Sequence, residues 1–312
     1  MLHVRVVVPP ERRSDVVDAV RDDPSVCHVL LLPDVGAISP LDEITFDVAR
    51  ENADRVLDRL KELGVEQHGS ISVQQPDTVF SAAAVAAEQA APGHPDDGVV
   101  WSQLESRSGE DARLSASFLI FLVLATLIAG VGRYLDQPIL IIGAMVVGPE
   151  FAPIAATCLG IVRRRPRLVG TAIGTLAVGF ALSAAVATVF WLVADVVGAV
   201  DRTLATTGPQ TDFIIQPDGW SFVIALLAGA AGVLSMTASK SSTLVGVFIS
   251  VTTVPAVGTL ALTAAVGAWS EAGSALVQLG VNLAGMVLAG SLTLLALQVA
   301  WRNAPTLRRK PR

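Results

Sequence analysis

Apolar and polar residues alternate with two different rhythms along this chain, and the change of rhythm divides it. Over residues 2–8 the alternation has period two and the residues are mostly β-branched, which predicts a strand ending at Pro9-Pro10. Glu11–Asp23 carries Val16, Val17 and Val20 at helical spacing. Residues 26–32 predict a second strand, and Glu43–Ala49, alternating Ile44, Phe46 and Val48, a third. Asn52 stands where a cap is needed for a helix whose apolar face is Val56, Leu57, Leu60 and Leu63, with Gly64 as its stop. Ser70–Gln74 reads as a fourth strand. The order β-α-β-β-α-β within residues 1–76 is the ferredoxin-like pattern, an α+β head.

Residues 77–112 read as a linker and juxtamembrane helix. An alanine-rich helical stretch over 77–91 is broken by Pro92-Gly93. A polar run follows, with Pro95-Asp96-Asp97-Gly98 as a turn and a short helix expected from Val99, Trp101 at the interface. Beyond it the rhythm becomes long apolar stretches, approximately 115–135, 138–162, 168–197, 220–238, 243–268 and 274–300. Each is long enough to cross a hydrocarbon core of ~30 Å at ~1.5 Å per helical residue. Residues 113–301 thus read as a six-span membrane domain and 302–312 as a basic tail.

Composition sharpens this division. Only 16% of the 312 residues are charged, against about 25% in soluble domains. Residues 1–112 hold 9 Lys/Arg against 21 Asp/Glu, whereas residues 113–312 hold 13 against 7. Eleven basic residues fall at one set of span ends: Arg113, Arg163, Arg164, Arg165, Arg167, Lys240, Arg302, Arg308, Arg309, Lys310 and Arg312. Only Arg133 and Arg202 fall at the other, where Asp136 and Asp195 are expected to be solvated. The positive-inside rule then puts the head and both termini in the cytoplasm of a cell-membrane protein. The N-terminus has no basic region followed by an apolar one, so no signal peptide is expected. Topology accounts for the basic clusters, so nucleic acid is not an expected partner; the lipid bilayer is.

The sharpest chemical signal is Gly143-Ala-Met-Val-Val-Gly148-Pro149-Glu150-Phe-Ala-Pro153 inside the second stretch. A charged side chain at bilayer depth costs ~2.5–3.5 kcal/mol on insertion scales, and such residues usually mark a pathway or a relay. Pro149 and Pro153 remove backbone donors, so a broken helix with carbonyls needing other partners is expected. Broken helices carrying a carboxyl group are what secondary transporters build their sites from. The bland reading of Glu150 is a residue that caps a break beside a water-filled vestibule.

Laid side by side, the stretches repeat. Ser117-Phe118-Leu119-Ile120 opens the first and Ser221-Phe222-Val223-Ile224 the fourth. Gly143 with Pro149 and Pro153 is matched by Gly246 with Pro255, and Thr252 and Thr253 fall near the position of Glu150. Three stretches per half give a 3+3 inverted repeat with broken helices. Gly143, Gly148, Pro149, Glu150, Pro153, Ser250, Thr252, Thr253 and Pro255 are therefore the candidate pathway residues. Ser235, Thr237, Gln278 and Asn282 are weaker candidates, and Asn282 more often makes an interhelical hydrogen bond. Gly170-xxx-Gly174 and Gly229-Ala-Ala-Gly232 read as helix-packing surfaces.

No catalytic constellation appears, so no enzyme and no cofactor are expected. Cys27 and Cys158 read as buried apolar residues, and His3, His28, His68 and His94 as ordinary strand or surface histidines, with no metal site expected.

Ser108-Gly-Glu-Asp-Ala-Arg-Leu-Ser115, the Leu122–Ile128 span, then Pro138…Ile142-Gly143-Ala144-Met145 and Pro149…Pro153-Ile154 carry a family resemblance. Together they resemble the membrane core of the uncharacterised hydrophobic-domain family, domain of unknown function 389, over roughly residues 100–300. Where relatives often read Ile-Ser-Pro-Leu this chain has Val147-Gly148-Pro149-Glu150, and where they often show a double proline it has Val254-Pro255-Ala256. The resemblance implies the architecture and brings no settled activity. The expectation is a transporter or channel-like protein for a small solute or ion, with proton coupling through Glu150 as one mode and a head that regulates or oligomerises it. A homo-oligomer is expected. The alternative is a membrane-anchored sensor or scaffold in which the head binds a ligand or partner.

Overall fold

The period-two residues Leu2, Val4, Val6 and Val8 all turn one way, and with Ile44, Phe46 and Val48 they make a fully buried sheet face. In the computed structural model, which describes residues 1–76, 78–91, 100–214, 219–237 and 253–302, strand β1 (Leu2–Val8) pairs antiparallel with β3 (Asp42–Val48), Leu2 opposite Val48. Strand β4 (Ser70–Gln74) lies on the other side of β1, and β2 (Val26–Leu32) outside β3, giving the order β2-β3-β1-β4. Helices α1 (Arg13–Arg21) and α2 (Ala53–Glu62) close this face with Val16, Val20, Val56, Leu57 and Leu60. Gly64, at φ +72°, ends the second helical segment in a left-handed conformation open to glycine at little cost. A short turn of helix, α3 (Val65–His68), leads into β4.

Asn52 does not cap α2 as its position suggested. Its amide instead donates to Ser25 Oγ at 2.6 Å and to both Asp23 oxygens at 3.1 Å, tying the start of α2 to the turn before β2. Past β4, helix α4 (Ala82–Ala90) begins at Ser81, whose Oγ accepts from Ala84 N. It packs on β2 and β3 with Ala84 and Ala87 buried. Residues 1–104 belong to one compact unit.

The second unit runs from Glu105 to Gln298, apart from residues 237–239, and is helical throughout its described residues. Helix α5 (Trp101–Asp111) leads into it. Then come α6 (Ala116–Tyr134), α7 (Pro138–Val147), α8 (Phe151–Val162) and α9 (Pro166–Val196). A short α10 (Arg202–Thr206) is followed by α11 (Gly219–Thr237), α12 (Val254–Ala265) and α13 (Trp269–Arg302). Four of these are long and apolar enough to cross a membrane, and α7 with α8, bent by 57° at their break, make a fifth candidate. The twelve residues of α12 fall short of a span by themselves. The preceding part of the expected fifth stretch, 243–252, lies outside the described residues.

Large apolar side chains point outward along the long helices, among them Ile120, Phe121 and Leu124 on α6, Val189 and Phe190 on α9, and Leu288 and Leu292 on α13. So much exposed apolar area is unusual for a soluble protein and is compatible with a multi-pass membrane protein. Inside, small residues set the packing. A methyl group on Gly258 of α12 would strike the backbone of α6 at Thr126 and Gly130, and one on Gly229 of α11 would strike the Met286 backbone of α13. Gly170 and Gly174, expected to be packing positions, have no packing partner among the described residues. They meet nothing within 4 Å among the described residues and lie on the exposed face of α9.

Candidate functional site

The break between α7 and α8 follows from three adjacent residues. Gly148 leaves the helix with extended ψ (128°), Pro149 cannot donate to continue it, and Glu150 stands at the N-cap position of α8. Pro153 falls in the first turn of α8, where a backbone donor has no helical partner in any case. The same holds for Pro255 in the first turn of α12. The expectation that Pro153 leaves carbonyls in need of partners is thus corrected: it starts a helix rather than interrupting one.

Both half-helices are buried on every side, α8 from Pro153 through Gly160 and α12 through ten of its twelve residues. They meet at their N-termini. Glu150, 1% exposed, accepts a hydrogen bond on Oε1 from the Thr253 hydroxyl at 2.8 Å, and Thr253 holds the N-cap position of α12. Each N-terminus carries the positive end of a helix dipole, about half a unit charge, so the meeting point favours an anionic group. Gly148 makes room for it. A Cβ there would collide with Glu150 Oε2 and crowd the Val254 side chain. This is a carboxylate held between two helix ends, able to exchange a proton, ligate a cation or pair with a basic solute.

The other candidates are spread out. Gly143 meets no neighbour within 4 Å among the described residues, on an exposed stretch of α7. Ser250 and Thr252 lie outside the described residues. Ser235 Oγ donates back to Gly232 O at 2.7 Å, and Gln278 donates to Asn282 one turn along α13 at 3.3 Å, both side chains buried.

Sequence reasoning missed Arg133. Set down as a span-end cation, it is fully buried at the end of α6 and donates to the Thr211 hydroxyl at 2.7 Å, Gly208 O at 3.3 Å and Asp212 at 3.0 Å. Asp136, expected to be solvated, accepts from Thr211 Oγ1 and Gln210 N, and Asp195 pairs with Arg202 at 3.0 Å. A lone Arg beside an Asp three residues on is too common in sequences to announce such a clamp. In the head, His3 and His28 come to opposite oxygens of Asp47, which no spacing along the chain suggests.

Residues 145–288 match the model of the family described as Domain of unknown function (DUF389). The chain is also similar to an uncharacterized protein of Methanocaldococcus jannaschii, 26% identical over 248 residues that cover 80% of this chain and 73% of the relative. No solved structure matches.

Proposed function

We propose that this chain, whose residues 145–288 match the DUF389 family model, is a cell-membrane protein whose α7–α8 break and α12 line a pathway for a small solute or ion. The observation that carries the proposal is the Glu150–Thr253 contact between two buried half-helix N-termini. Discontinuous helices meeting near the centre of a bundle are where transporters bind charged substrates and coupling ions. A buried carboxyl group there costs free energy that a plain anchor has no reason to bear.

Glu150 is the residue to which we assign the translocated or coupling charge, with the Thr253 hydroxyl orienting it and Gly148 leaving it space. Two short helices, each with proline in its first turn and a polar residue ahead of it, support a 3+3 inverted repeat. The charge distribution supports both termini in the cytoplasm. The strand order supports a ferredoxin-like head. Leu30, Leu31 and Leu32, exposed on its edge strand, support a role in oligomerisation.

Proton flux into proteoliposomes of the purified chain under an imposed potential tests this reading, with Glu150→Gln beside it. The amide keeps an acceptor for Thr253 but cannot carry charge. Flux in the parent that the variant loses is the expected result. Equal flux in both, or none in either, removes Glu150 as a proton carrier.

A further inference from the structure

The head carries a second set of chemical groups, on the sheet face opposite the apolar core. Strand register lines up three of them across neighbouring strands: His3 on β1 stands opposite Asp47 on β3, and Asp47 opposite Cys27 on β2. His28 joins them through a distortion. The β2–β3 register shifts between Cys27 and Leu30, and His28 sits at φ +53°, a conformation that residues with a Cβ adopt at a cost of about 1–3 kcal/mol. In a regular strand His28 would face away from its neighbour Cys27; the bulge brings both to the same carboxylate. His3 Nδ1 lies 2.8 Å from Asp47 Oδ1, His28 Nδ1 2.8 Å from Asp47 Oδ2, and Cys27 Sγ 3.7 Å from His28 Nδ1. The donor atoms of Cys27, His28 and Asp47 all fall within 4.8 Å of one another.

We propose that Cys27, His28 and Asp47 bind one divalent transition-metal ion of the zinc type, with solvent completing its coordination. One thiolate, one imidazole and one carboxylate are a borderline-soft set; magnesium and calcium take oxygen donors instead. Tetrahedral bonds of about 2.0–2.3 Å set donors roughly 3.3–3.7 Å apart. The thiol–imidazole pair already has that spacing, and the His28–Asp47 contact needs to open only by about half an ångström.

The surroundings suit the exchange. For the Asp47 carboxylate to accept from His28 Nδ1, the imidazole hydrogen must stand on that nitrogen. Ser81, at the start of α4, lies 2.9 Å from His28 Nε2. On binding, the His28 hydrogen moves to Nε2 and is donated to Ser81 Oγ, which frees Nδ1 for the metal and fixes the ring. Cys27 releases its thiol proton to solvent. Burial, then the negative charges of Asp47 and Glu88, push that thiol upward, and a bound cation would reverse this. All three side chains are partly exposed, which leaves a route of entry.

The test is titration of the full chain, purified in detergent, stripped with chelator, with Zn2+ against a chromophoric competitor and separately with Co2+. One ion per chain is expected, with a thiolate-to-cobalt charge-transfer band that Cys27→Ser removes. His28→Ala and Asp47→Asn should weaken binding at least about 100-fold, and Ser81→Ala about 10–100-fold, as for other groups that orient metal ligands. His68→Ala, outside the cluster, should leave it unchanged. Thermal melting of the same samples identifies any variant that fails to fold, and Cys27→Ser, nearly isosteric, keeps the charge-transfer readout usable. Substoichiometric binding, a cobalt spectrum without the thiolate band, or affinity indifferent to Cys27, His28 and Asp47 would each overturn the proposal and leave a plain histidine–aspartate network.

Discussion

Glu150 and Gly148 occupy one small volume, and substitutions there separate packing from charge. Gly148→Ala puts a methyl group where the carboxylate and Val254 already lie. The carboxylate must swing away, so flux should fall at least about ten-fold while stability drops by only about 1 kcal/mol, the low end for an overpacked site. Gly143→Ala, facing no neighbour within 4 Å among the described residues, should leave flux unchanged and gain up to about 1 kcal/mol of helix preference. Thr253→Val removes the donor to a buried carboxylate and should cost about 1–3 kcal/mol, whereas Thr253→Ser should recover it. Flux assays beside thermal melting in micelles distinguish these outcomes. At this scale the sequence was informative for a simple reason: an acid and two prolines in an apolar run have few physical explanations. His3, His28, Cys27 and Asp47 were illegible because register and a bulge, not spacing, assemble them.

Elements are held by polar ties that hydrophobic patterning does not record. The excursion after α9 is fastened to the end of α6 by buried Arg133, through Thr211, Gly208 and Asp212, and by Tyr134, whose hydroxyl accepts from Asp201 N. Arg133→Ala should destabilise the second unit by about 1–3 kcal/mol, since the buried Thr211 hydroxyl and Gly208 carbonyl lose this donor. It should also make residues 202–214 sensitive to added protease; unchanged cleavage would contradict the clamp. In the head, Asp23 accepts from the Ser25 hydroxyl, Ser25 N and the Asn52 amide. Burial by itself would raise the Asp23 carboxyl, but these hydrogen bonds outweigh it and hold it below the ordinary aspartate value. A carboxyl lowered in the folded state adds stability above its unfolded value, and that stability is lost as pH falls through the folded one. Acid melting of the head below the usual aspartate range should therefore be less steep in Asp23→Asn than in the parent. Asn52 illustrates what patterning misreads: it stands at a cap position, yet its amide serves a neighbouring turn.

For the whole molecule, the two rhythms of the sequence correspond to two compact units, a four-stranded sheet with its helices and a helical unit with outward-facing apolar side chains. The strands were legible because period-two burial is local. The inner helices were less so, because α8 and α12 are buried on all faces and carry no amphipathic signature that separates them from spans. Buried threonines recur along both helices, but among their described residues only the meeting end carries an ionisable carboxyl group, Glu150. That end is where the account can be tested most directly. Cysteines introduced at Pro149 and Thr253, in a Cys27→Ser, Cys158→Ala background, would be challenged in sealed vesicles with a membrane-impermeant thiol reagent. A pathway through the break predicts labelling from water at both positions and none at Ile120 or Leu292 on the outward faces. Protection of 149 and 253 from either side of the membrane, with the fold intact, would contradict it.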